Sequence, residues 1–217
     1  RGRSDSEESS DSMSGSALGG KVKNSELNKP TYLLVWTTTP WTLPANTAIA
    51  VNEKEKYAKI KVGESFYYIG EKLKQNLASF KGAKNFSQEF IQALQNNHES
   101  VLGKSLVGKK YRPLFDFEYI KDEKKKNPAS WKIYGADFVS MEDGAGFVHI
   151  APAYGPDDMD LAQKFGISVL QTVDLEGRLT PGVSLWKSMF VKDADKYIFN
   201  FLTEAEKLLA GDLQGVE

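Results

Sequence analysis

The sequence predicts an α+β, β-rich fold: a small twisted β-barrel or mixed-sheet core with peripheral helices. Short β-branched or aromatic runs, separated by Pro, Asn, Gly and charged turns, predict the strands. These runs are YLLVWTT, TAIAV, YAKIKV and SFYYIG, all between residues 32 and 70. Apolar residues at three-to-four spacing predict amphipathic helices at 71–80, 87–97 and 191–209. With 217 residues, 41% of them hydrophobic, the chain is long enough to bury a core.

The N-terminal segment 1–28 differs in composition from the rest of the chain. It is rich in Ser, Gly and acidic residues and has almost no large apolar side chain, so it cannot bury enough surface to offset the entropy of ordering. We therefore expect a disordered leader, or a segment added for expression, followed by a single domain at 29–217. Within that domain we expect a helical insertion at 71–130 and a terminal helix at 191–209.

The second half of the chain alternates short apolar runs with polar segments. KSLVGKKYRPL (104–114) and WKIYGADFVS (131–140) favour strands, and KDEKKKN (121–127) between them is typical of a solvated loop rather than a binding patch. The segment 144–167 predicts a glycine turn, the strand FVHIA, a Pro/Gly loop and a helix beginning near Pro156. SVLQTV, which follows it, resembles another strand.

Composition excludes several kinds of site. The chain has no cysteine, which rules out disulfides, thiolate zinc sites and a cysteine nucleophile, and its 2 histidines leave little scope for an all-histidine metal site. A formal net charge of −1 predicts no broad phosphate-binding surface, so a nucleic acid would have to be held locally. Because no apolar run approaches the roughly 18 residues of a membrane span and no secretory signal is present, we expect a soluble, cytoplasmic protein without membrane contact.

Three consecutive threonines, Thr37, Thr38 and Thr39, end the first β run and lead directly into PWTLP. A threonine run more often reflects β propensity than chemistry. Its position at the end of a strand favours a site, because side chains alternate along a strand and Thr37 and Thr39 would share one face while Thr38 faces away. Their hydroxyls suit neutral hydrogen bonds to a ribose, an ester carbonyl or a water, and none of them is a strong base.

Aromatic and turn-forming residues surround the threonines. Trp36 and Trp41 fit the wall of a small pocket, a stacking contact with a base, or ordinary core packing, and for each residue taken alone core packing is favoured. Pro40 and Pro44 stiffen the loop and Asn46 closes its turn, so we expect structural support for the site from these three.

A second candidate region combines one histidine with three carboxylates. His149 lies among apolar neighbours in FVHIA and would need an orienting carboxylate to act as a general base, while its bulk would fit a limit on pocket size equally well. Asp157, Asp158 and Asp160 fall near the start of the predicted helix, where acids interact favourably with the helix dipole. The alternatives are a magnesium site, which no other cluster of acids supports, and one carboxylate that pairs with a ligand ammonium group.

The stretches WTTTPWTLPANTAIAV (36–51) and GAGFVHIAPAYGPDDMDLA (144–162) closely resemble the editing domain of isoleucyl-tRNA synthetase, the connective-peptide insertion of this class I aminoacyl-tRNA synthetase. The resemblance covers residues 30–185 and is weakest at 71–130. Valyl and leucyl relatives share the architecture but typically carry Arg-Pro after the threonines, where this chain has Thr39-Pro40-Trp41-Thr42. Ala145 departs from the threonine expected in most relatives. The HIGH-type and KMSKS-type nucleotide motifs of the synthetase are missing, so we expect no ATP-dependent aminoacylation site.

The resemblance implies a role for each candidate residue. Four residues would act at the ester and its amino acid: Thr37, Thr38, Thr39 and Asp158. Five would line or support the pocket: Trp36, Trp41, Thr42, His149 and Asn46. Asp158 would hold the α-ammonium group of the misattached amino acid, and the threonines would contact the terminal adenosine, the ester region and the hydrolytic water. His149 would limit the pocket to the size of valine. No metal and no cofactor are implied.

The resemblance also implies a reaction. A hydrophobic pocket distinguishes one methylene by only about 1–3 kcal/mol, a limit for which isoleucyl-tRNA synthetase is the standard example, so an isoleucine enzyme mischarges valine and needs a second, hydrolytic site. We expect water to attack the aminoacyl ester at the 3′ end of isoleucine tRNA, with valyl-adenylate as a second substrate. The expected partners are this aminoacylated 3′ end, misactivated valine and the remainder of the synthetase. We expect a monomer.

Three alternatives stay open at the level of the sequence. The first is the editing domain of a valyl- or leucyl-tRNA synthetase, which a test with different mischarged tRNAs would distinguish. The second is a catalytically inert, β-rich module that binds RNA ends. The third is a general esterase that uses a serine and His149, although the chain has no G-x-S-x-G elbow.

Overall fold

The computed structural model describes residues 29–79 and 86–205, and within them two mixed β-sheets form the centre of the fold. The first sheet has four strands in the order β1, β4, β3, β5. These strands are β1 (Thr31–Leu33), β3 (Lys56–Val62), β4 (Ser65–Gly70) and β5 (Glu99–Leu102). The β3–β4 and β3–β5 pairs are antiparallel and the β1–β4 pair is parallel. The chain segment that leads to the threonines therefore starts at one edge of this sheet.

The second sheet has three strands in the order β6, β2, β7. These are β2 (Ala48–Val51), β6 (Lys132–Gly135) and β7 (Phe147–Ile150). The central strand β2 is buried at all four residues, pairs parallel with β6 and pairs antiparallel with β7. The apolar run TAIAV fits this central position because both of its faces are covered.

Five α-helices in the described segments surround the sheets. They are α1 (Lys74–Ser79), α2 (Gln88–Gln95), α3 (Glu118–Lys126), α4 (Pro156–Phe165) and α5 (Val191–Glu204). The first two cover one face of the first sheet, where Phe90 and Leu94 of α2 join a cluster with Ile60 of β3. Helix α4 covers the second sheet through Leu161 and Ala162. Helix α5 packs on a 3₁₀ helix, Pro40–Ala45, and positions it beside the second sheet.

The predicted α+β class with a mixed-sheet core and peripheral helices is confirmed. The described strands form two mixed sheets rather than a closed barrel. The predicted strands TAIAV, YAKIKV, SFYYIG and FVHIA are present, and α4 begins at Pro156 as predicted. None of the helices in the described segments has the length and apolarity needed to cross a membrane.

Three of the predicted elements are wrong. Residues 104–114 form no strand but a 3₁₀ turn, Gly103–Ser105, and a single bridge between Lys110 and Lys132. The lysine-rich segment 121–127 belongs largely to helix α3 rather than to a loop, because Lys and Glu are good helix formers and Ile120 anchors one side of the helix in the core. Residues 168–173 likewise form no strand, and only Val173 makes a bridge, to Leu179.

The remaining differences concern boundaries. The first β run stops at Leu33, so the threonines follow the strand through an irregular segment instead of ending it. Strand β5 lies within 71–130 but belongs to the first sheet, so this region is not purely helical. Helix α5 ends at Glu204, and residues 206–209 of the predicted terminal helix lie outside the described residues, as does the segment 1–28. The predicted single domain at 29–217 stays a prediction.

Candidate functional site

The threonines lie in a tight turn that leads into the 3₁₀ helix Pro40–Ala45. The Thr39 backbone N–H donates to Thr37 Oγ1 at 3.1 Å, and the Thr42 backbone N–H donates to the Thr39 carbonyl at 3.0 Å. These bonds bring the side chains together, with 3.4 Å between the hydroxyl oxygens of Thr37 and Thr39 and 3.5 Å between those of Thr39 and Thr42. Thr38 is exposed. Thr37 and Thr39 thus share a side of the chain, but through turn geometry rather than strand alternation.

His149 continues this hydroxyl series from the second sheet. It lies on β7, opposite Ile49 of β2, and its Nε2 lies 3.2 Å from Thr42 Oγ1. The Thr42 hydroxyl donates its hydrogen to the Thr39 carbonyl at 2.8 Å, so it can only accept from the histidine. Nε2 therefore carries the ring proton and Nδ1 is an acceptor. Nδ1 is buried and has no hydrogen-bond partner among the described residues.

The protonation of His149 follows from this environment. Burial disfavours the charged imidazolium and lowers the pKa of His149 to about 4. The ring is therefore neutral at pH 7, and the unpartnered Nδ1 means that no carboxylate of the described residues orients it. A group with these properties is a weak general base, and it serves instead as a hydrogen-bond donor and as a rigid wall.

Asp158 is held at the C-terminal end of β7, the strand that carries His149. Its Oδ2 accepts the backbone N–H of Ala151, two residues beyond His149, at 2.8 Å. The pKa of Asp158 is raised above its usual value, chiefly because burial desolvates the carboxylate. The hydrogen bond from the Ala151 N–H opposes this shift, and the charge of Asp157 adds to it. Gly155 allows this close approach, because a Cβ at that position would lie 3.1 Å from Asp158 Cγ. The second carboxylate oxygen can still accept from a ligand cation.

The other two acids of this helix are separate from the threonine turn. Asp157 and Asp160 are exposed and border a shallow cleft of about 600 Å³ between α4 and the end of β6. Neither His149, Asp158 nor any of the threonines lines this cleft. No group of three or more His, Asp or Glu side chains in the described segments is arranged to hold a metal ion.

The aromatic and amide candidates lie around the turn in different ways. The Trp41 ring packs edge-on against Tyr154, with 5.0 Å between the ring centroids. Trp36 is 41% exposed and lies beside Gly144: a Cβ added to Gly144 would lie 3.4 Å from the Cβ of Trp36. Asn46 is buried, donates to the Ala48 carbonyl at 2.8 Å and accepts from the Tyr111 hydroxyl at 2.6 Å. Its contacts are those of a residue that fixes the turn.

Two contributors were not identified from the sequence. Asp195 of α5 accepts the backbone N–H of Trp41 at 2.8 Å. Tyr154, which packs on the Trp41 ring, is itself fixed by Thr172 through two hydrogen bonds to its hydroxyl. The sequence did contain an indication that Asp195 is buried, since it lies on the apolar face of an amphipathic helix with Ile198 and Leu202. Sequence spacing alone did not indicate its partner.

Comparison with known proteins places the chain among much longer relatives. No family model matches it. It is 36% identical over 196 residues to the isoleucine–tRNA ligase of Thermococcus kodakarensis, covering 87% of this chain and 17% of the relative. It is 38% identical over 184 residues to the isoleucine–tRNA ligase of Clostridium novyi, covering 85% and 16%. The chain thus spans less than a fifth of the length of these curated relatives.

Solved structures with the same fold come from leucyl-tRNA synthetases. The structure titled GlLeuRS-CP1 aligns with a TM-score of 0.61 at 16% identity and covers 87% of each chain. The Plasmodium falciparum (P.falciparum) cytosolic leucyl-tRNA synthetase editing domain aligns with a TM-score of 0.55 at 12% identity, covering 83% of this chain and 80% of that chain. At such identities the likeness concerns the fold alone.

Proposed function

We propose that this chain, which is homologous to a segment of isoleucine–tRNA ligase and has the fold of a synthetase editing domain, is a hydrolytic proofreading domain. The observation that carries the proposal is the hydrogen-bonded series of Thr37, Thr39, Thr42 and His149, beside which Asp158 is fixed. It combines neutral groups suited to an ester with an anion suited to an amine. The proposed substrate is valine esterified to the 3′ end of isoleucine tRNA.

The amino acid would be held through its charge. An ionised Asp158 carboxylate accepts a charge-assisted hydrogen bond from the α-ammonium group, and the Ala151 N–H fixes the orientation of that carboxylate. The ammonium group is common to valine and isoleucine, so this contact binds and orients the substrate without selecting it. Selection would come from His149, whose ring is fixed by Thr42 and limits the space for the side chain.

The hydrolytic step would depend on positioning. The oxygen of a water forms a bond to the ester carbonyl carbon, the bond from that carbon to the ribose oxygen breaks, and the ribose oxygen leaves with a proton. The threonine hydroxyls orient the ester and the water, and a neighbouring ribose hydroxyl relays the proton, since neither the threonines nor neutral His149 is a strong base at pH 7. Positioning of this kind can contribute about 7–11 kcal/mol to lowering a barrier.

Two of the alternatives are less well supported. Identities of 36% and 38% with isoleucine–tRNA ligases favour the isoleucine enzyme as the parent. The serine esterase needs a histidine paired with a serine hydroxyl, whereas His149 Nε2 is paired with Thr42. The inert RNA-binding module is separated from the proposal only by turnover.

The test compares two isosteric substitutions in the same helical turn. Asp158→Asn removes the charge that would meet the ammonium group, and Asp157→Asn removes an exposed charge next to it. Hydrogen bonds to charged groups contribute about 1.5–3 kcal/mol, so we expect valine release from isoleucine tRNA to fall about 10- to 100-fold in Asp158→Asn and to stay near wild type in Asp157→Asn. Isoleucine release should be slow in the wild type.

Three outcomes would contradict the proposal. If a folded wild-type chain at saturating concentration released no valine but still bound the RNA, the inert module would be the better description. Equal activities of Asp158→Asn and Asp157→Asn would show that the Asp158 carboxylate does not bind the ammonium group of the substrate. Turnover of simple esters at the same rate as aminoacyl-tRNA would favour the general esterase.

A further inference from the structure

Asp195 connects the last described helix to the threonine turn. It lies on α5, its side chain is 2% exposed, and its Oδ1 accepts the backbone N–H of Trp41, 154 residues away, at 2.8 Å. Trp41 is the second residue of the 3₁₀ helix that carries Thr42. Helix α5 also packs against this 3₁₀ helix. A single side chain thus fixes the backbone between Thr39 and Thr42.

The start of that 3₁₀ helix explains why a distant acceptor is needed. Thr39 occupies the N-cap position, where a threonine hydroxyl usually accepts a backbone N–H of the first turn, but it makes no such bond. Pro40 has no N–H, and the Thr42 N–H is bound by the Thr39 carbonyl, so the N–H that needs an acceptor is that of Trp41. Asp195 supplies this acceptor. The Thr39 hydroxyl instead lies within 3.4–3.5 Å of the hydroxyls of Thr37 and Thr42.

We propose that Asp195 is a positioning residue for the editing reaction: it caps the 3₁₀ helix from α5 and leaves the Thr39 hydroxyl available to the substrate. The inference rests on the proposed function and deepens it. Asp195 touches neither the ester nor the amino acid. It acts on them through the backbone of Trp41, and so through the placement of Thr39 and Thr42.

Packing alone does not explain an aspartate at this position. The neighbouring residues on the same face of α5, Ala194, Ile198 and Leu202, are buried and apolar, and Asp195 Oδ2 is buried without a hydrogen-bond partner among the described residues. A carboxylate taken out of water without full compensation costs stability, and burial raises the pKa of Asp195 accordingly. An apolar side chain would suit this face better. The acceptor for Trp41 is what an apolar side chain lacks.

The experiment uses two substitutions at Asp195 and one control on the same helix. Asp195→Ala removes the acceptor, while Asp195→Asn keeps an oxygen that can accept the Trp41 N–H. Leu202→Ala removes packing from the buried face of α5, two turns beyond Asp195, and makes no contact with the Trp41 N–H. Two quantities are measured for each protein: kcat and KM for valine release from isoleucine tRNA, and the hydrogen-exchange rate of the Trp41 amide by NMR.

We expect Asp195→Ala to speed hydrogen exchange of the Trp41 amide at least tenfold. It should also lower kcat about tenfold with little change in KM, because displacement of Thr39 would weaken transition-state binding more than substrate binding. Asp195→Asn should restore both quantities to within about threefold of the wild type. Leu202→Ala should lower the melting temperature while Trp41 exchange and kcat, compared at equal folded fraction, stay near wild type.

Failure of this inference can be told apart from failure of the proposed function. If the wild type releases valine but Asp195→Ala leaves kcat and Trp41 exchange unchanged, or changes kcat no more than Leu202→Ala does, the positioning role is wrong. If Asp195→Asn is as impaired as Asp195→Ala, the acceptor is not what matters. If the wild type releases no valine while Asp195 protects its Trp41 amide from exchange, the proposed function is wrong, and Asp195 only stabilises the 3₁₀ helix.

Discussion

At the scale of single residues, the hydrogen-bonding roles of Thr42 and His149 follow from their contacts. Thr42 donates to the Thr39 carbonyl, so His149 must donate to Thr42, and the buried Nδ1 has no partner among the described residues. These contacts orient the ring, and its pKa, which burial lowers to about 4, keeps it neutral at pH 7. A neutral imidazole that is held in place can define the width of a pocket without disturbing an ammonium group nearby.

The first prediction concerns the pH dependence of stability. The pKa of His149 is about 4 in the folded chain and near 6.5 in the unfolded chain, so the unfolded state binds more protons between these values. Stability from this group is therefore fully present above pH 6.5 and is lost as the pH falls towards 4. We expect the free energy of unfolding of the wild type to decline across this window relative to that of His149→Gln, as measured by urea unfolding at several pH values.

The control for this measurement is the other histidine of the chain. His98→Gln leaves His149 in place and should retain the His149 contribution to the decline. A wild type and a His149→Gln variant with parallel pH profiles between pH 4 and 6.5 would show that the buried ring does not have the lowered pKa.

The second prediction concerns Thr42, which links the threonine turn to His149. Thr42→Val keeps the shape of the side chain but removes the acceptor for Nε2, and a buried donor without a partner costs about 1–3 kcal/mol. Thr42→Ser keeps the hydroxyl. We expect Thr42→Val to lose stability by about this amount and to release isoleucine relatively faster, because the ring is no longer held. Equal valine-to-isoleucine release ratios in Thr42→Val and the wild type would contradict this link.

At the scale of elements, the sequence predicted what local periodicity determines. β2, β3, β4, β7, α2 and α4 are short segments whose own residues alternate or repeat with helical spacing, and all six occur. Local signals failed where pairing depended on a distant partner. Residues 104–114 contain strand-like residues, but only Lys110 meets another strand, at Lys132. A run of β-forming residues without a partner along its length does not become a strand.

The candidate site shows the same division. The threonines, His149 and Asp158 were identified by residue type. The structure joins Thr37, Thr39, Thr42 and His149 through hydrogen bonds, whereas Thr38 is exposed. The strand alternation predicted for Thr37 and Thr39 was wrong, because these residues lie in a turn and not in a strand. Asp195 was missed because its partner is 154 residues away, a separation that no local pattern reports.

The third prediction concerns the two ends of α4. Gly155→Ala places a Cβ 3.1 Å from Asp158 Cγ, so the carboxylate must shift by a few tenths of an ångström from the Ala151 N–H. We expect slower valine release with little change in stability. Gly166→Ala, at the other end, meets no atom within 4 Å but occupies a backbone with φ of +67°. It should cost about 1 kcal/mol of stability and leave kcat unchanged.

These two substitutions add one methyl group each to the same helix, so they separate the position of Asp158 from the stability of α4. The measurements are thermal unfolding and the rate of valine release. A Gly166→Ala variant that loses activity as strongly as Gly155→Ala would indicate that α4 acts as a whole and not through the Asp158 contact.

At the scale of the whole molecule, the site depends on how the two sheets meet. The threonine turn follows β1 of the first sheet, whereas His149 lies on β7 of the second. The junction between the sheets is hydrogen-bonded: Tyr57 of β3 donates to the Gly146 carbonyl at 2.8 Å, and the Gly70 N–H donates to the Ala145 carbonyl at 2.8 Å. The Tyr57 ring also packs on Phe147, with 4.8 Å between centroids. We expect this junction to contribute to the distance between the threonine turn and His149.

The last prediction tests that junction. Tyr57 also accepts the Asn52 N–H at 2.9 Å, so Tyr57→Phe leaves a buried carbonyl and a backbone N–H without their partner while keeping the ring in place. Each such group costs about 1–3 kcal/mol, and for a chain of this size each kcal/mol lowers the melting temperature by about 2–4 °C. We expect a fall of about 5–15 °C, and slower valine release at a temperature where the variant is fully folded, because the two sheets carry different parts of the site. Tyr32→Phe, at a tyrosine that is 48% exposed, should change neither quantity. If Tyr57→Phe lowered the melting temperature but left the release rate at the wild-type value, the position of His149 relative to the threonines would be set locally, by Thr42, and not by the packing of the sheets.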